Sequence, residues 1–290
     1  MLNPNLFKPI GRSAWIFLVL LMLPGTAAWG YQPSLEEAMT RILYTSSGVT
    51  RGIFEFKSRV YDPVKNRSSR EDASSERIPP ELSERNFNQK IYWIKGAFLA
   101  IETFSEDGKP LHFYIEENFT PVSAILDEAR PFSARDVFHP YIPFIDGAIG
   151  NLKSGIGLWG VQPTRVRIIR GGKGEVFLRL EESTRKALLI NRSDWRADKI
   201  ETRIEGGTRP LNLTIEFKDF VYAGNQQDET HDLRIPRTVN YLLDGNLFKQ
   251  TVLIKFSVNN NWRFFPLSRL RKEAEKHIEA GKLKEKGDNL

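Results

Sequence analysis

In the stretch LNLTIEF, Leu211, Leu213, Ile215 and Phe217 fall on one side of an extended chain, and Asn212, Thr214 and Glu216 fall on the other. Side chains alternate across a strand with a period of two, so such a run is stable when one face is covered by apolar groups and the other meets water. The pattern recurs along most of the chain. In RGIFEFKSRVY, Phe54, Phe56 and Val60 oppose Glu55, Lys57 and Arg59. IYWIKGAFLAIETFSEDGKPLHFYIEE, from Ile91 to Glu117, holds aromatic-rich runs separated by a Ser-Glu-Asp-Gly-Lys-Pro turn. TRVRIIR, EVFLRLE, KALLI, DKIETRIE, RTVNYLL and LFKQTVLIKFSV follow, with Gly171-Gly172, Gly206-Gly207 and Asp244-Gly245-Asn246 among the turns between them. In the last run Phe248, Val252, Ile254, Phe256 and Val258 are expected on one face, and Lys249, Thr251 and Lys255 on the other. The sum is a mainly β chain of about ten or eleven antiparallel strands, with one face apolar and one wet.

Only a few segments break this period. Ser34-Leu35-Glu36-Glu37 is a capping box, and Leu35, Ala38, Met39, Ile42 and Leu43 follow at helical spacing, so a helix is expected over about 35–46. Residues 62–89 are polar, with Pro79-Pro80 and many charges, and read as a long hairpin loop. Between 127 and 160 alternation disappears in a Pro-, Gly- and aromatic-rich stretch, DVFHPYIPFIDGAIGNLKSGIGLWG. It is too apolar for a solvated linker and is expected to fold against the sheet as a lid or plug. From Pro266 the tail 266–290 is charged, with Leu270, Ala274 and Ile278 as a thin stripe by which it docks before fraying beyond Gly281.

The first thirty residues have a different composition. Lys8 and Arg12 precede the apolar run Ala14 to Leu23, and Gly25, Thr26, Ala27 and Ala28 follow. That order is that of a cleaved secretory leader, residues 1–30, cut after Ala28 or Gly30. A spanning helix would need about 20 apolar residues, and Pro24-Gly25 ends the run early. The chain has no cysteine, which excludes disulfides, thiolate metal sites and the acylated cysteine of a lipoprotein. The expected location is therefore the periplasm. Removing Lys8 and Arg12 leaves 40 basic residues against 36 acidic. That surplus is small and scattered, and no basic block interleaved with aromatics points to nucleic acid.

No catalytic constellation is present. There is no thiol, no G-x-S-x-G, no H-E-x-x-H and no phosphate-binding Gly-rich loop between a strand and a helix. His112, His139, His231 and His277 are isolated in sequence. His231-Asp232 beside Asp228 and Glu229 is the best acid/base or metal cluster, and its polar setting reads as a solvated turn. Paired carboxylates such as Glu116-Glu117 and Glu181-Glu182 sit on alternating strands and point to opposite faces. The expectation is a non-enzyme with no metal and no cofactor.

A helix after the leader, a Phe-rich first strand and an aromatic hairpin together resemble the outer-membrane lipoprotein carrier family, LolA and LolB, and its lipoprotein-sorting relatives. The family pattern F-x-F-x-Q is matched by Phe54-Glu55-Phe56, and L-W-x-K-R-P-x-x-F by Tyr92-Trp93-Ile94-Lys95-Gly96-Ala97-Phe98. S-D-G-K-x-L-W-F-Y is matched by Ser105-Glu106-Asp107-Gly108-Lys109-Pro110-Leu111-His112-Phe113-Tyr114, and Phe265-Pro266 follows the closing strands as in the family. Gly96 stands where the family has the arginine that holds its lid closed, and Ser58 stands at the glutamine position.

The resemblance implies an unclosed, strongly curved antiparallel half-barrel over 31–265, covered by helices, with acyl chains of a lipid or lipoprotein in its concave face. Phe54, Phe56, Trp93, Phe98, Ile101, Phe113, Leu213, Ile215, Phe217, Tyr241, Ile254 and Phe256 are the lipid-binding candidates. The implied role is non-enzymatic carriage across the periplasm toward the outer membrane, by a monomer working with inner- or outer-membrane sorting proteins. The alternative is an envelope sensor of the same fold that recognises a protein partner or lipoprotein signal through the 62–89 loop or the charged C-terminal helix.

Overall fold

The computed structural model describes residues 31–44, 49–61, 86–117, 120–126, 138–145, 149–204, 210–223, 233–258, 265–279 and 283–285. The chain divides into two units, Met1–Pro33 and Ser34–Leu290, and all elements below belong to the second. The leader, residues 62–85 of the expected 62–89 loop and the His231-Asp232 cluster lie outside the described residues, and Phe87–Gln89, expected in that loop, instead begin a strand because they pair along their backbone with the strands on either side.

Thirteen strands form one antiparallel sheet. They are β1 (Arg51–Val60), β2 (Phe87–Ile94), β3 (Phe98–Ser105), β4 (Pro110–Glu117), β5 (Thr120–Ile125), β6 (Arg165–Arg170), β7 (Val176–Ser183), β8 (Lys186–Asn191), β9 (Ala197–Ile204), β10 (Leu211–Ala223), β11 (Leu233–Leu243), β12 (Asn246–Val258) and β13 (Leu283–Glu285). Their order is β13-β5-β4-β3-β2-β1-β12-β11-β10-β9-β8-β7-β6, so β6 and β13 are free ends and the sheet is unclosed. Two strands exceed the count expected from alternation. β5 is short and carries Pro121, and β13 lies in the tail expected to fray. Instead of fraying, Leu283–Glu285 pairs with Val122–Ala124 of β5, which caps an edge whose backbone groups would otherwise be open to another chain.

The turns follow the local chemistry. Asp244 and Gly245, both at positive φ (46° and 83°), join β11 to β12 as a two-residue hairpin between the paired Leu243 and Asn246. Gly96 sits at φ 64° in the β2–β3 turn, where a side chain would strain the backbone.

Three short helices lie on one face: α1 (Leu35–Tyr44), α2 (Ile142–Ile145) and α3 (Ile149–Leu158). The Ser34 hydroxyl accepts from the Glu37 N–H at 3.1 Å, and Ala38, Met39, Ile42 and Leu43 are buried as the helical stripe requires. The stretch carrying α2 and α3 connects β5, beside one edge, to β6 at the other, so it must cross the whole sheet. Its contacts show how far the sheet bends. Phe138 meets Tyr114 of β4, His139 stacks on Phe56 of β1, and Tyr141 meets Phe217 and Phe220 of β10. β4 and β10 are six intervals apart, about 29 Å in a flat sheet at about 4.8 Å per interval. Four consecutive residues span only about 11 Å. The sheet therefore wraps around this segment, and α1, α2 and α3 sit in its hollow.

Among the described residues, the other face is covered over the first strands. There α4 (Leu267–Glu279) lays Leu270 and Ala274 on Tyr92, Phe98, Ala100, Phe113, Ile115 and Ala124. β2, β3 and β4 are thus covered on both sides, and burial along β4 runs unbroken from Leu111 to Ile115. A chain buried on both faces no longer shows which face is inner.

Alternation also misplaces part of β12. Glu55 pairs with Lys255 but Phe56 with Leu253, so Ile254 is an extra, bulged residue. Leu253, Thr251 and Lys249 are turned inward and buried, and Ile254 is 62% exposed. The inward set expected for this strand is therefore corrected at Ile254, Lys249 and Thr251: a bulge shifts the period by one residue.

Candidate ligand cavity

Between the concave face of β2–β4 and the α2–α3 cover lies a cavity of about 340 Å³. The sheet side is made by Trp93, the turn at Gly96 and Ala97, Leu99 and Tyr114. The cover contributes Phe138, Ile142, Pro143, Leu158 and Trp159, and Glu116, Asn151 and Ser154 supply polar groups. Over β10–β12 the cover packs directly on the sheet. Trp159 reaches Tyr241 at 5.9 Å between ring centroids, and Phe144 and Tyr141 pack edge-on against Phe217 at 5.8 and 5.1 Å. The cover is therefore a plug over β10–β12 and a roof over β2–β4. Gly155 makes that roof compact, since a Cβ there would fall 2.5 Å from the Pro143 Cβ.

The polar groups around the cavity are held uncharged or paired. Tyr114 donates its hydroxyl to Glu116, and burial, then that bond, raises the phenol far above its ordinary pKa. His139 stacks on Phe56 with centroids 4.0 Å apart, and its Nδ1 accepts the Tyr141 N–H at 3.3 Å. Burial, reinforced by Lys249, pushes its pKa down to about 3, so the imidazole is neutral. Further along the same face the wall turns polar. Ser58 and Thr251 share a hydrogen bond of 2.7 Å, Gln89 donates to Thr103 at 3.4 Å, and the Lys249 ammonium lies over the rings of Phe87 and Tyr241 at 4.8 and 5.1 Å. Among the described residues no group of three or more His, Asp or Glu side chains could hold a metal ion.

The twelve candidate residues divide among several places. Trp93 borders the cavity, and Phe54, Phe56, Ile101, Leu213, Ile215, Phe217 and Tyr241 are buried in the same core, with Phe256 partly buried against it. Phe98 also contributes to the wall near the β2–β3 turn, but its ring packs on the opposite face against Phe265, at 6.1 Å. Phe113 faces that side too, 5.7 Å from His277. Their placement on the convex face, beneath α4, corrects the single-face expectation, and Ile254 is on the surface. Sequence reasoning missed Tyr114, Phe138, His139, Ile142, Leu158 and Trp159. The signal was the apolar lid segment itself: its aromatics had to face the sheet that it covers.

No known family model matches the chain, and no curated protein is similar to it. Among solved structures it is similar to a LolA superfamily protein from Nitrosomonas europaea, at 10% identity and a TM-score of 0.47, over 81% of this chain and 98% of the other. It is also similar to an outer membrane lipoprotein-sorting protein domain from Vibrio parahaemolyticus, at 12% identity and a TM-score of 0.45, over 81% and 97%. A chain of the MucA/MucB complex of Pseudomonas aeruginosa covers 82% of this chain and 95% of its own length, at 9% identity and a TM-score of 0.23.

Proposed function

We propose that this chain is an exported, non-enzymatic carrier that holds acyl chains of a lipid or lipoprotein under its helical cover and carries them across the periplasm toward the outer membrane. The observation that carries this reading is the void of about 340 Å³ left between β2–β4 and α2–α3. Its size lies at the lower end of the usual range for ligand pockets, about 300–1,000 Å³. At about 30 Å³ for a group the size of a water, it has room for about ten methylenes. Burying these would contribute about 8 kcal/mol before ordering costs are subtracted. The leader-like segment from Lys8 to Ala28 supports export, and the hairpin and Phe-rich strand support the carrier family. The carrier acts as a monomer and meets sorting proteins at the membranes it serves.

Native mass spectrometry of protein purified from its own compartment tests this, together with displacement of a fluorescent fatty acid. Co-purifying lipid and saturable displacement are expected. Protein that is bare in both assays would overturn the reading.

A further inference from the structure

Among the described residues that line the cavity, Glu116 is the single side chain with a formal charge. It stands near the end of β4 on the concave side, because Tyr114, two residues before it, has its ring in the concave core and gives its hydroxyl to Glu116 Oε2. Backbone pairing sets Trp93, Leu99 and Glu116 in one row across β2, β3 and β4. Burial falls along that row from the closed Trp93 to the half-buried Leu99 and Glu116, and the Gly96-Ala97 turn and Ser154 of α3, which also line the cavity, are exposed. This row is thus the mouth of the cavity, and the carboxylate stands in it within reach of water. Its charge is uncompensated: among the described residues Glu116 has no cationic partner and its Oε1 accepts no hydrogen bond. Glu117, on the opposite face, is held by Arg271.

We infer that Glu116 selects the polar end of the ligand, so that the site takes acyl chains ending in an N–H group, amine or amide, in preference to chains ending in a carboxylate. This rests on the carrier reading and refines its ligand class. The apolar walls measure chain length alone, because each methylene contributes equally. A chain that enters tail first and fills the void brings its head to the mouth row, where the one charged group stands. An ammonium or amide head gives the Glu116 carboxylate a donor that its Oε1 lacks, and a second carboxylate meets like charge. At a partly exposed site the attraction and the repulsion are each worth about threefold in affinity, and about tenfold together. Free fatty acids still bind through their tails, but more weakly.

The test compares dodecylammonium, lauramide and laurate by calorimetric titration at neutral pH, below their micelle concentrations, of the delipidated protein and of Glu116→Gln. Glutamine keeps the length of the side chain and an oxygen for the Tyr114 hydroxyl, and removes the charge. The unaltered protein is expected to bind dodecylammonium about tenfold tighter than laurate, with lauramide between them, and in Glu116→Gln the ammonium-to-laurate ratio is expected to fall to about one. Ser154→Lys adds a cation at the exposed side of the mouth and should move that ratio toward laurate with Glu116 intact. Lauramide bound tighter than dodecylammonium, both above laurate, would support the inference and assign an amide-linked chain instead of an amine head. Equal affinity for dodecylammonium and laurate, laurate bound tighter, or a ratio that survives Glu116→Gln would each overturn the inference and leave the carrier reading standing. Failure of all three ligands to bind would remove the carrier reading and the inference together.

Discussion

Arg269 of α4 grips Glu102 of β3 through two hydrogen bonds, Nη1 to Oε1 at 2.7 Å and Nη2 to Oε2 at 2.9 Å. The Tyr92 hydroxyl joins the pair, donating to Glu102 at 2.7 Å and accepting from Arg269 at 2.8 Å. Burial, then Glu102, holds the phenol above its ordinary pKa. This network fixes the charged helix over the convex face, where the apolar stripe of Leu270 and Ala274 alone is narrow. Arg269→Ala should destabilise the protein by about 1–3 kcal/mol, because the mostly buried Glu102 loses its cation. Arg269→Lys should recover only part of that, since a point charge cannot reproduce the two-pronged contact. Urea unfolding of the three proteins checks this, and equal midpoints would show that α4 is held by other contacts.

Gly155→Ala tests how closely the cover is packed. In a free helix the change would gain about 1 kcal/mol. Here the new methyl would overlap the rigid ring of Pro143, and overpacking costs about 1–3 kcal/mol. The clash should win, giving a lower melting temperature and weaker binding of a fluorescent fatty acid as α3 is pushed off α2. A higher melting temperature would mean that the two helices separate freely.

Leu99→Trp addresses the cavity without touching the plug. Leu99 is half-buried at the start of β3 and borders the void. A larger ring there should fill space that an acyl tail would use and weaken fatty-acid binding by about tenfold, equivalent to about two methylenes. Unfolding free energy should change by less than about 1.5 kcal/mol. Retained affinity would place the ligand elsewhere.

The buried histidines predict how stability varies with pH. His139 and His112 are depressed by burial, to about 3 and about 4, from an ordinary value of 6.5. Between those values and 6.5 the unfolded chain binds protons that the folded chain does not. Stability is therefore complete above about pH 6.5 and falls on acidification, by at most about 1.4 kcal/mol per pH unit for each histidine. Unfolding from pH 7 to pH 4 should show a shallower loss in His139→Phe than in the unaltered protein. Parallel curves would indicate that the ring is protonated in the folded state.

Much of the architecture was legible in local pattern. The alternation in β10, with Leu211, Leu213, Ile215 and Phe217 on one side, is matched by their burial. The Ser34 cap, the stripe of α1 and the Asp244-Gly245 turn also follow their sequence signals. The site was less legible. Only Trp93 and Phe98 of the twelve candidates touch the cavity, because whether a buried side chain lines a void or fills one depends on the element opposite. Leu213 and Trp93 look alike in their strands, but one lies in the plugged core and the other beside the void.

By itself the sequence determined that the chain is a sheet of alternating strands and which neighbours share a side, because the period of two is a property of the extended backbone. Only the tertiary structure decided which side is the hollow, since alternation is the same seen from either face. α4 covers Phe98 and Phe113 from outside, α1–α3 cover Phe54 and Phe56 from inside, and one bulge turns Ile254 out to solvent. The space left beneath the cover depends on how closely Gly155 and Pro143 bring two helices together, a distance that no single strand records.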